Sequence, residues 1–365
     1  MINNWEVWIG NQRGTRVAPL RKLYQIGATL VTNGVGAWSL VLPAKVVKDE
    51  WLVTDAIIEL WRRPFLSTQK LVTIGYLRRI EYYDNDRGTE MIEISGPDCN
   101  ELLNTRIIAY PSGSSEALKS GYADDLMKEF VGQNMGTGTS SDRSLSPYNF
   151  TVTPGVNLAP VVSKGASYDN LLKTLQSIAA TSTQMGTPLF FRVIPQSFID
   201  GSVGFTFDTM IGQPGDDRTS LTFSKRNRNM VKPTVIIERS SEITVVYAGG
   251  PGEGKNRLVS VLSDTTRIGE SIWNRRESFI NAFNARSSEE LDDRGHDALF
   301  LGRPKTTMSC MISSSTFCRY GMEWSHGDKV SVDYQGHQYQ TIVKTTPITV
   351  SKNRESIQPR VEVTL

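Results

Sequence analysis

Short apolar runs with a two-residue period, each followed by a turn signal, constrain the fold of this chain more than any other feature of its sequence. Trp5, Val7 and Ile9 occupy every second position of the first run, as in a strand that buries one face. Four further β-rich runs follow before residue 95, and turn residues such as Asn33-Gly34 separate them. Short strands of this kind are typical of a closed barrel or a sandwich. Residues 1–110 are therefore predicted to form an N-terminal β-barrel.

Helical patterns begin only after residue 110. Tyr122, Leu126 and Phe130 recur every fourth residue, and Gly132 is expected to end the helix that they indicate. A second helix is predicted over 167–186, with Ser167 as its N-cap. The apolar run at 189–194 is predicted to be a buried strand that packs against this helix. The helix presents one apolar stripe, which comprises Tyr168, Leu171, Leu172, Leu175, Ile178 and Ala179.

The rest of the chain returns to strand-like sequence, which indicates an α+β fold dominated by β-structure. Residues 270–300 interrupt it with charged, helix-compatible sequence whose apolar anchors are Trp273, Ile280, Phe283 and Leu291. Three parts are predicted: the N-terminal barrel (1–110), a helix-containing middle domain (111–235) and a C-terminal β-rich region (236–365) with a helical insertion near 270–300. The sequence leaves open whether the C-terminal region is continuous with the middle domain or separate from it.

Composition excludes several classes of protein. Forty basic and 38 acidic residues give the 365-residue chain a net charge of +2, whereas a dedicated nucleic-acid binder usually has a strongly basic domain. Cys99, Cys310 and Cys318 form no CxxC pair, which argues against a disulfide framework or a zinc site and fits a reducing cytoplasm. The chain has no signal-peptide pattern and no run of about 18 apolar residues, so stable membrane insertion is not expected.

The segment from Gly249 to Asn256 matches the phosphate-binding pattern GxxxxGK, with Lys255 in the lysine position. Asn256 stands where a Ser or Thr hydroxyl would hold magnesium. The sequence that follows is strand-like, so no helix N-terminus is expected to face the phosphates. A glycine-rich connection between two strands is the favoured interpretation, and a nucleotide site is the alternative.

The other candidate catalytic groups form no recognisable motif. The acidic residues at 289–293 lie in a run with Ser and Arg, as in a solvated helix or loop; they are Glu289, Glu290, Asp292 and Asp293. His296, His326 and His337 are dispersed and match neither HxxxH nor HExxH, although the last two flank a predicted hairpin and could approach each other. No GxSxG elbow occurs. No catalytic, cofactor-binding or metal-binding residue is assigned, and no cofactor is expected.

Five segments are distinctive when they are taken in order. They are 33–43 (NGVGAWSLVLP), 94–107 with its Gly96-Pro97-Asp98 turn, 122–136, the helical stripe at 169–179, and 246–257 with its glycine-rich loop. Together they resemble a siphophage tail protein family, the ReqiPepy-type group. Since this resemblance spans most of the chain, it also places the Gly249–Asn256 loop in a protein class that has no nucleotide site.

The resemblance implies a non-enzymatic baseplate hub at the tip of a bacteriophage tail. Such a hub is expected to be a homotrimer with two tail-tube-like β-barrels per subunit, whose six barrels form a ring that caps the tail tube and lets DNA pass at ejection. Relatives often carry a further C-terminal hydrolase or receptor-binding region, which is not expected here because the chain stops at Leu365 directly after a predicted strand. Assembly in the host cytoplasm and residence in the virion follow from this interpretation.

The resemblance also implies a set of partners. They are further copies of the chain, the distal tail or tail-tube ring, the tape measure protein, tail spike or receptor-binding proteins, and genomic DNA in transient passage.

Two other classes of function stay open from the sequence. One is an enzyme, either a nucleotide hydrolase that uses the Gly249–Asn256 loop or a tail-associated cell-wall hydrolase. The other is a carbohydrate-binding tail-tip module. The structural context of Lys255 distinguishes the nucleotide hydrolase from the rest.

Overall fold

A computed structural model describes residues 4–64, 67–109, 117–283, 285, 287–312, 318–351 and 354–363. Strands dominate the described residues and helices are few, which confirms the predicted α+β class. The predicted domain boundary between 110 and 111 lies outside the described residues. The division of the chain into three domains therefore stays a prediction.

The secondary-structure elements follow one another along the chain in three groups. Residues 4–109 contain β1 (Trp5–Gly10), β2 (Arg16–Leu20), β3 (Gln25–Val31), β4 (Ala37–Pro43), β5 (Ile57–Arg62), β6 (Lys70–Tyr76), β7 (Arg79–Asp84), β8 (Glu90–Pro97) and α1 (Glu101–Asn104). Residues 117–238 contain β9 (Ala117–Tyr122), α2 (Ala123–Met135), β10 (Phe150–Val152), β11 (Val161–Ala166), α3 (Leu171–Gln184), β12 (Leu189–Ser197), β13 (Val203–Ile211), β14 (Asp217–Ser224) and β15 (Met230–Glu238). The remainder contains β16 (Val245–Gly249), β17 (Val259–Ser263), α4 (Thr265–Gly269), β18 (Glu277–Asn281), α5 (Ser288–Leu301), β19 (Lys305–Ile312), β20 (Lys329–Tyr334), β21 (His337–Ser351), β22 (Arg354–Ile357) and β23 (Arg360–Val363).

The largest sheet joins the two ends of the chain. Its main path is β15-β19-β23-β21-β3-β4-β8-β7, with β14, β20 and β22 attached beside it. A second sheet, β2-β1-β5-β6, continues into the first because β6 is followed at once by β7. The inner faces of both sheets bury one shared core, which includes Ile9, Leu40 and Val350. The predicted closed barrels are wrong: in the described part of the chain, the sheets keep edge strands and stay open.

A second core lies between helices α2 and α3 and the sheet β10-β13-β12. As predicted, Leu171, Leu172, Leu175 and Ile178 are buried in it, and β12 is the buried strand that follows. The predicted start of this helix is wrong. Tyr168 has a left-handed φ of 56°, so the helix begins at Leu171. Asn170 is the N-cap, because its side-chain oxygen accepts a hydrogen bond from the Lys173 N–H at 3.1 Å.

Helix α2 does not end at Gly132 as predicted, but continues to Met135. Val131 and Met135 are fully buried, and burying two such side chains outweighs the cost of about 1 kcal/mol for a glycine within a helix. Tyr122, which was predicted to lie on the buried face of this helix, belongs instead to β9 and is exposed.

The segment 270–300 is only partly helical. Residues 277–281 form β18, which pairs with β16, and the helix α5 begins at Ser288. This helix covers one face of the small sheet β17-β16-β18. Of the four predicted apolar anchors, Leu291 is fully buried and Ile280 is partly buried, whereas Trp273 and Phe283 are exposed. The sequence did not predict this strand, because β18 buries only one face and its other face carries polar and charged residues.

The packing of α3 yields a test. Leu175 is fully buried, so Leu175→Ala should lower the free energy of unfolding by roughly 2–5 kcal/mol. Lys173→Ala, on the exposed face of the same helix, should leave it within about 0.5 kcal/mol of the original. Urea denaturation followed by circular dichroism measures both changes. Equal stabilities for the two variants would show that α3 does not pack as described.

Candidate functional site

The Gly249–Asn256 loop connects two antiparallel strands. β16 pairs with β17, and Gly249 lies opposite Val259 at the loop end of this hairpin. Lys255 is exposed within a single helical turn of three residues. Arg257 closes the loop instead, because its guanidinium donates to the carbonyl oxygens of Gly249 and Gly250. The strand–loop–helix context of a phosphate-binding loop is therefore not present at this loop.

The acidic residues at 289–293 lie on α5, and two of them have structural partners. The Asp292 carboxylate accepts a hydrogen bond from the Ser260 hydroxyl, which ties α5 to β17, and Glu290 forms an ion pair with Arg294 one turn along. Sequence reasoning did not identify Asp297 on the same helix. Its carboxylate accepts a 2.9 Å hydrogen bond from Thr181 on α3, and burial raises its pKa. These carboxylates hold α5 in place and do not converge on a cleft.

The two histidines that flank the β20–β21 hairpin do not meet across it. His337 lies opposite Tyr334 beside the turn, whereas His326 precedes the other end of β20. The His326 ring lies 3.3 Å from the hydroxyl of Thr32 and 3.0 Å from that of Thr346. Burial lowers the pKa of His326 to about 4, so at pH 7 the neutral ring links Thr32, directly after β3, to Thr346 on β21.

The thiols of Cys99, Cys310 and Cys318 are all buried and unpaired as disulfides. Burial raises the pKa of Cys310 to about 12 and that of Cys318 to about 11, which leaves little nucleophilic thiolate. Among the described residues, no group of three or more His, Cys, Asp or Glu side chains is placed to hold a metal ion. No helix within the described ranges is long and apolar enough to span a membrane.

A cleft of about 340 Å³ lies between the two main cores, and several of its polar side chains are already engaged in structural contacts. Arg62 binds both carboxylate oxygens of Glu355, at 2.8 and 2.7 Å. Asp98, which is 4% exposed, accepts a 3.0 Å hydrogen bond from the Asn100 N–H. The Asn100 side chain accepts in turn from the Val193 N–H at 2.8 Å. The Asn100 bond fastens the N-terminal part of the chain to β12, and the Arg62 pair fastens β5 to β22, so these polar groups serve structural contacts.

Burial raises the pKa of Asp98 from its usual range to about 7, which makes folding depend on pH. The folded state therefore favours the protonated carboxyl. The contribution of Asp98 to the free energy of unfolding is complete below about pH 4, and it is lost as the pH rises through about 7. Asp98→Asn keeps an acceptor oxygen for Asn100 but cannot ionise.

We expect the Asp98→Asn protein to lack this pH dependence. Between pH 4 and pH 7, the original chain should lose stability relative to the variant by up to about 1.4 kcal/mol per pH unit. Urea unfolding at a series of pH values measures this difference. Asp86→Asn, in an exposed turn, is the control and should follow the original chain. Parallel profiles for Asp98→Asn and the original chain would contradict the assignment.

The two strands at the ends of the main path of the large sheet expose apolar side chains. In the described residues, β15 pairs with β19 alone and β7 pairs with β8 alone. Ile237 on β15 is 62% exposed and Tyr82 on β7 is 60% exposed. Val235, Ile236 and Ile80 are also exposed on these strands. Open edges that carry apolar side chains are surfaces on which other chains can add strands, and they form the candidate site of this protein.

The side chains of both edges continue the inner face of the sheet. Val235 lies opposite Met308 on β19, and Ile80 lies opposite Ile94 on β8. Met308 and Ile94 both belong to the shared core, and side chains opposite each other on paired strands point to the same face. The inner face therefore remains apolar to its last strand on either side. Sequence reasoning did not predict this site, because alternating apolar residues do not reveal whether a strand is an edge.

Comparisons by sequence and by fold both find similarity to phage tail proteins. A sequence profile of the family described as Siphovirus ReqiPepy6 Gp37-like protein matches residues 4–361, and no curated protein matches the chain by sequence. The 43 kDa tail protein of prophage MuSo2 from Shewanella oneidensis has a similar fold, with a TM-score of 0.58 at 12% identity over 98% of this chain and 97% of its own. A tail protein from Neisseria meningitidis MC58 has a TM-score of 0.56 at 12% identity, over 98% of this chain and 96% of its own. A chain of the Francisella PdpA–VgrG complex aligns over 99% of this chain and 52% of its own, at 10% identity and a TM-score of 0.52.

Proposed function

We propose that this chain, which belongs to the Siphovirus ReqiPepy6 Gp37-like protein family, is a structural component of a bacteriophage tail that assembles as a ring at the tail tip. The observation that carries the proposal is the pair of open, apolar edges at opposite ends of one sheet in a fold shared with prophage tail proteins. A subunit with two such edges is suited to contacts with a neighbour on each side.

As a baseplate hub, the ring would cap the tail tube and let DNA pass at ejection. We propose a homotrimer, with the division at 1–110, 111–235 and 236–365 as the domain plan of each subunit. The proposed neighbours are the distal tail or tail-tube ring, the tape measure protein, and tail spike or receptor-binding proteins. The proposed location is the virion, after assembly in the host cytoplasm. A net charge of only +2 suits a channel for DNA, because a strongly basic lumen would retain phosphates.

We propose no enzymatic activity for this chain, and no catalytic, cofactor or metal site. Support comes from the buried thiols, from the acidic groups engaged in structural bonds, and from the position of Lys255 between antiparallel strands. For the nucleotide hydrolase, the Gly249–Asn256 loop lacks the strand–loop–helix arrangement of a phosphate-binding loop.

The proposed ring predicts the oligomeric state. Light scattering of the purified protein at increasing concentration should detect a trimer, and negative-stain images should show rings with rotational symmetry. The full chain is the sample, because the edges belong to a sheet that needs both ends of the chain. A monomer at every concentration, together with no symmetric ring of this protein in virions, would refute the proposal.

The absence of a nucleotide site is tested at Lys255. Lys255→Ala should change neither the melting temperature nor the assembly of the protein, because the side chain is exposed and the loop is closed by Arg257. The original chain should hydrolyse neither ATP nor GTP above background. Nucleotide turnover that disappears in the Lys255→Ala protein would overturn the structural assignment.

A further inference from the structure

Two turns that are distant in sequence lie side by side beside the large sheet. β14 and β20 pair in parallel, with Ser224 opposite Asp333, so both strands end on the same side. The turn after β14 comprises residues 225–228, and the turn after β20 joins Tyr334 to His337. The Lys225 ammonium lies 5.8 Å from the centre of the Tyr334 ring, which connects the two turns.

The first of these turns displays three cations. Lys225, Arg226 and Arg228 are all exposed, and none of them forms an ion pair with a described carboxylate. Together, residues 225–228 and 333–340 contain these three cations and a single carboxylate, that of Asp333. The second turn and the start of β21 add exposed hydrogen-bond donors, which are Gln335, His337 and Gln338. The two turns therefore form a cationic surface on a chain that is nearly neutral as a whole.

The first turn is fixed in a conformation that is unfavourable for one of its cations. Arg228 has a left-handed φ of 55°, which Asn or Gly adopts at a lower cost. Asn229 holds this shape, because it accepts from the Ser224 N–H at 2.9 Å and donates to the Thr222 carbonyl oxygen at 3.0 Å. Asn227 donates to the same oxygen at 3.0 Å. An arginine at such a position indicates a role for its side chain rather than for the turn.

We propose that this surface, made of residues 225–228 and 334–338, binds the phosphate backbone of duplex DNA. The proposal deepens the function proposed above and rests on it for the source of the DNA. Arg, Lys and Gln side chains are among the groups that contact DNA phosphates, and a guanidinium can bind one phosphate through two N–H groups. Three cations per subunit give few contacts, so the binding is weak and reversible, as passage of DNA requires.

The composition of the surface favours DNA over an acidic protein as the occupant. Protein–protein interfaces have an apolar core, whereas protein–DNA interfaces are more polar and more positively charged. Within residues 221–228 and 333–340, which the structure describes in full, no large apolar side chain is exposed. The exposed apolar side chains of the chain lie elsewhere, as on β7 and β15.

The salt dependence of duplex binding tests the surface. Fluorescence anisotropy of a short labelled duplex, titrated with the full chain at a series of NaCl concentrations, measures the affinity. The variant Lys225→Gln/Arg226→Gln/Arg228→Gln should bind roughly tenfold more weakly, or worse, at low salt. Its slope of log affinity against log salt should be smaller by about 2.7, since each phosphate contact contributes about 0.9. An original chain that binds no duplex at low salt would overturn the proposal.

A matched variant controls for net charge. Arg13→Gln/Arg21→Gln/Lys22→Gln removes the same charge from exposed positions outside both turns. It should bind the duplex within about twofold of the original and keep the original slope. Equal weakening in the two triple variants would show that binding follows the total charge of the chain, and the proposed surface would then be wrong.

Arg228→Asn separates the side chain from the turn. Asn adopts the left-handed φ more readily than Arg, so this variant should melt no lower than the original chain. Its salt slope should nevertheless be smaller by about 0.9, because one phosphate contact is lost. An unchanged slope would contradict the role of Arg228.

A competitor distinguishes phosphate from carboxylate as the recognised group. Poly-L-glutamate, added at the same concentration of charge as unlabelled duplex, should displace the labelled duplex less effectively. Equal displacement would assign the surface to an acidic protein and overturn the proposal for DNA.

The outcomes separate this proposal from the ring. The variant Lys225→Gln/Arg226→Gln/Arg228→Gln should still give trimers in light scattering, because the turns are not assigned to subunit contacts. Rings that form normally while original and variant share one salt slope would overturn the DNA surface and leave the ring in place. A chain that is monomeric at every concentration refutes the ring, and duplex binding is then measured on the single subunit.

Discussion

The pairing of β3 with β21 is the contact on which the rest of the structure depends. Seven residue pairs, from Val31 opposite Thr345 to Gln25 opposite Ser351, join strands more than 300 residues apart. Without them the N-terminal strands and the C-terminal strands would each expose half of the shared core. Polar contacts fix the same junction: Arg62 on β5 binds Glu355 on β22 through two hydrogen bonds, and the Trp5 indole donates to the same carboxylate. A bidentate pair adds geometric specificity to the nonspecific attraction between apolar faces.

The middle segment and the small sheet are attached to this frame by buried polar contacts. Asn100 accepts from the Val193 backbone, and Asn33 accepts from the Phe191 backbone, each at 2.8 Å. Asp297 connects α5 to α3 in the same manner. Such groups are costly to bury unless their partners are present, so they specify one arrangement of the segments. Two of the groups in these contacts, Asp98 and Asp297, have a raised pKa because they are buried.

An assembly role fits the way that the large sheet ends. Many β-proteins protect their edges with charges, bulges or covering loops. In this chain the β15 edge has a bulge beside Lys232 and a proline, Pro233, yet Val235, Ile236 and Ile237 beyond them are exposed, and β7 is exposed along its whole length. Edges of this composition are stable in solution when another strand covers them. These exposed edges belong to the same sheet that joins the two ends of the chain.

The sequence by itself determined many of the local elements. The two-residue period predicted the N-terminal strands, the apolar stripe of 171–179 predicted α3, and the residue after Lys255 argued against a phosphate-binding loop. These features depend on which face of an element is buried, and side-chain spacing records that directly. Only the tertiary structure decided that α2 passes through Gly132, that 277–281 is a strand, that β3 pairs with β21 and that β7 and β15 remain as edges. Alternation in a strand encodes its buried face but not its partner, because backbone hydrogen bonds between strands are the same for every sequence.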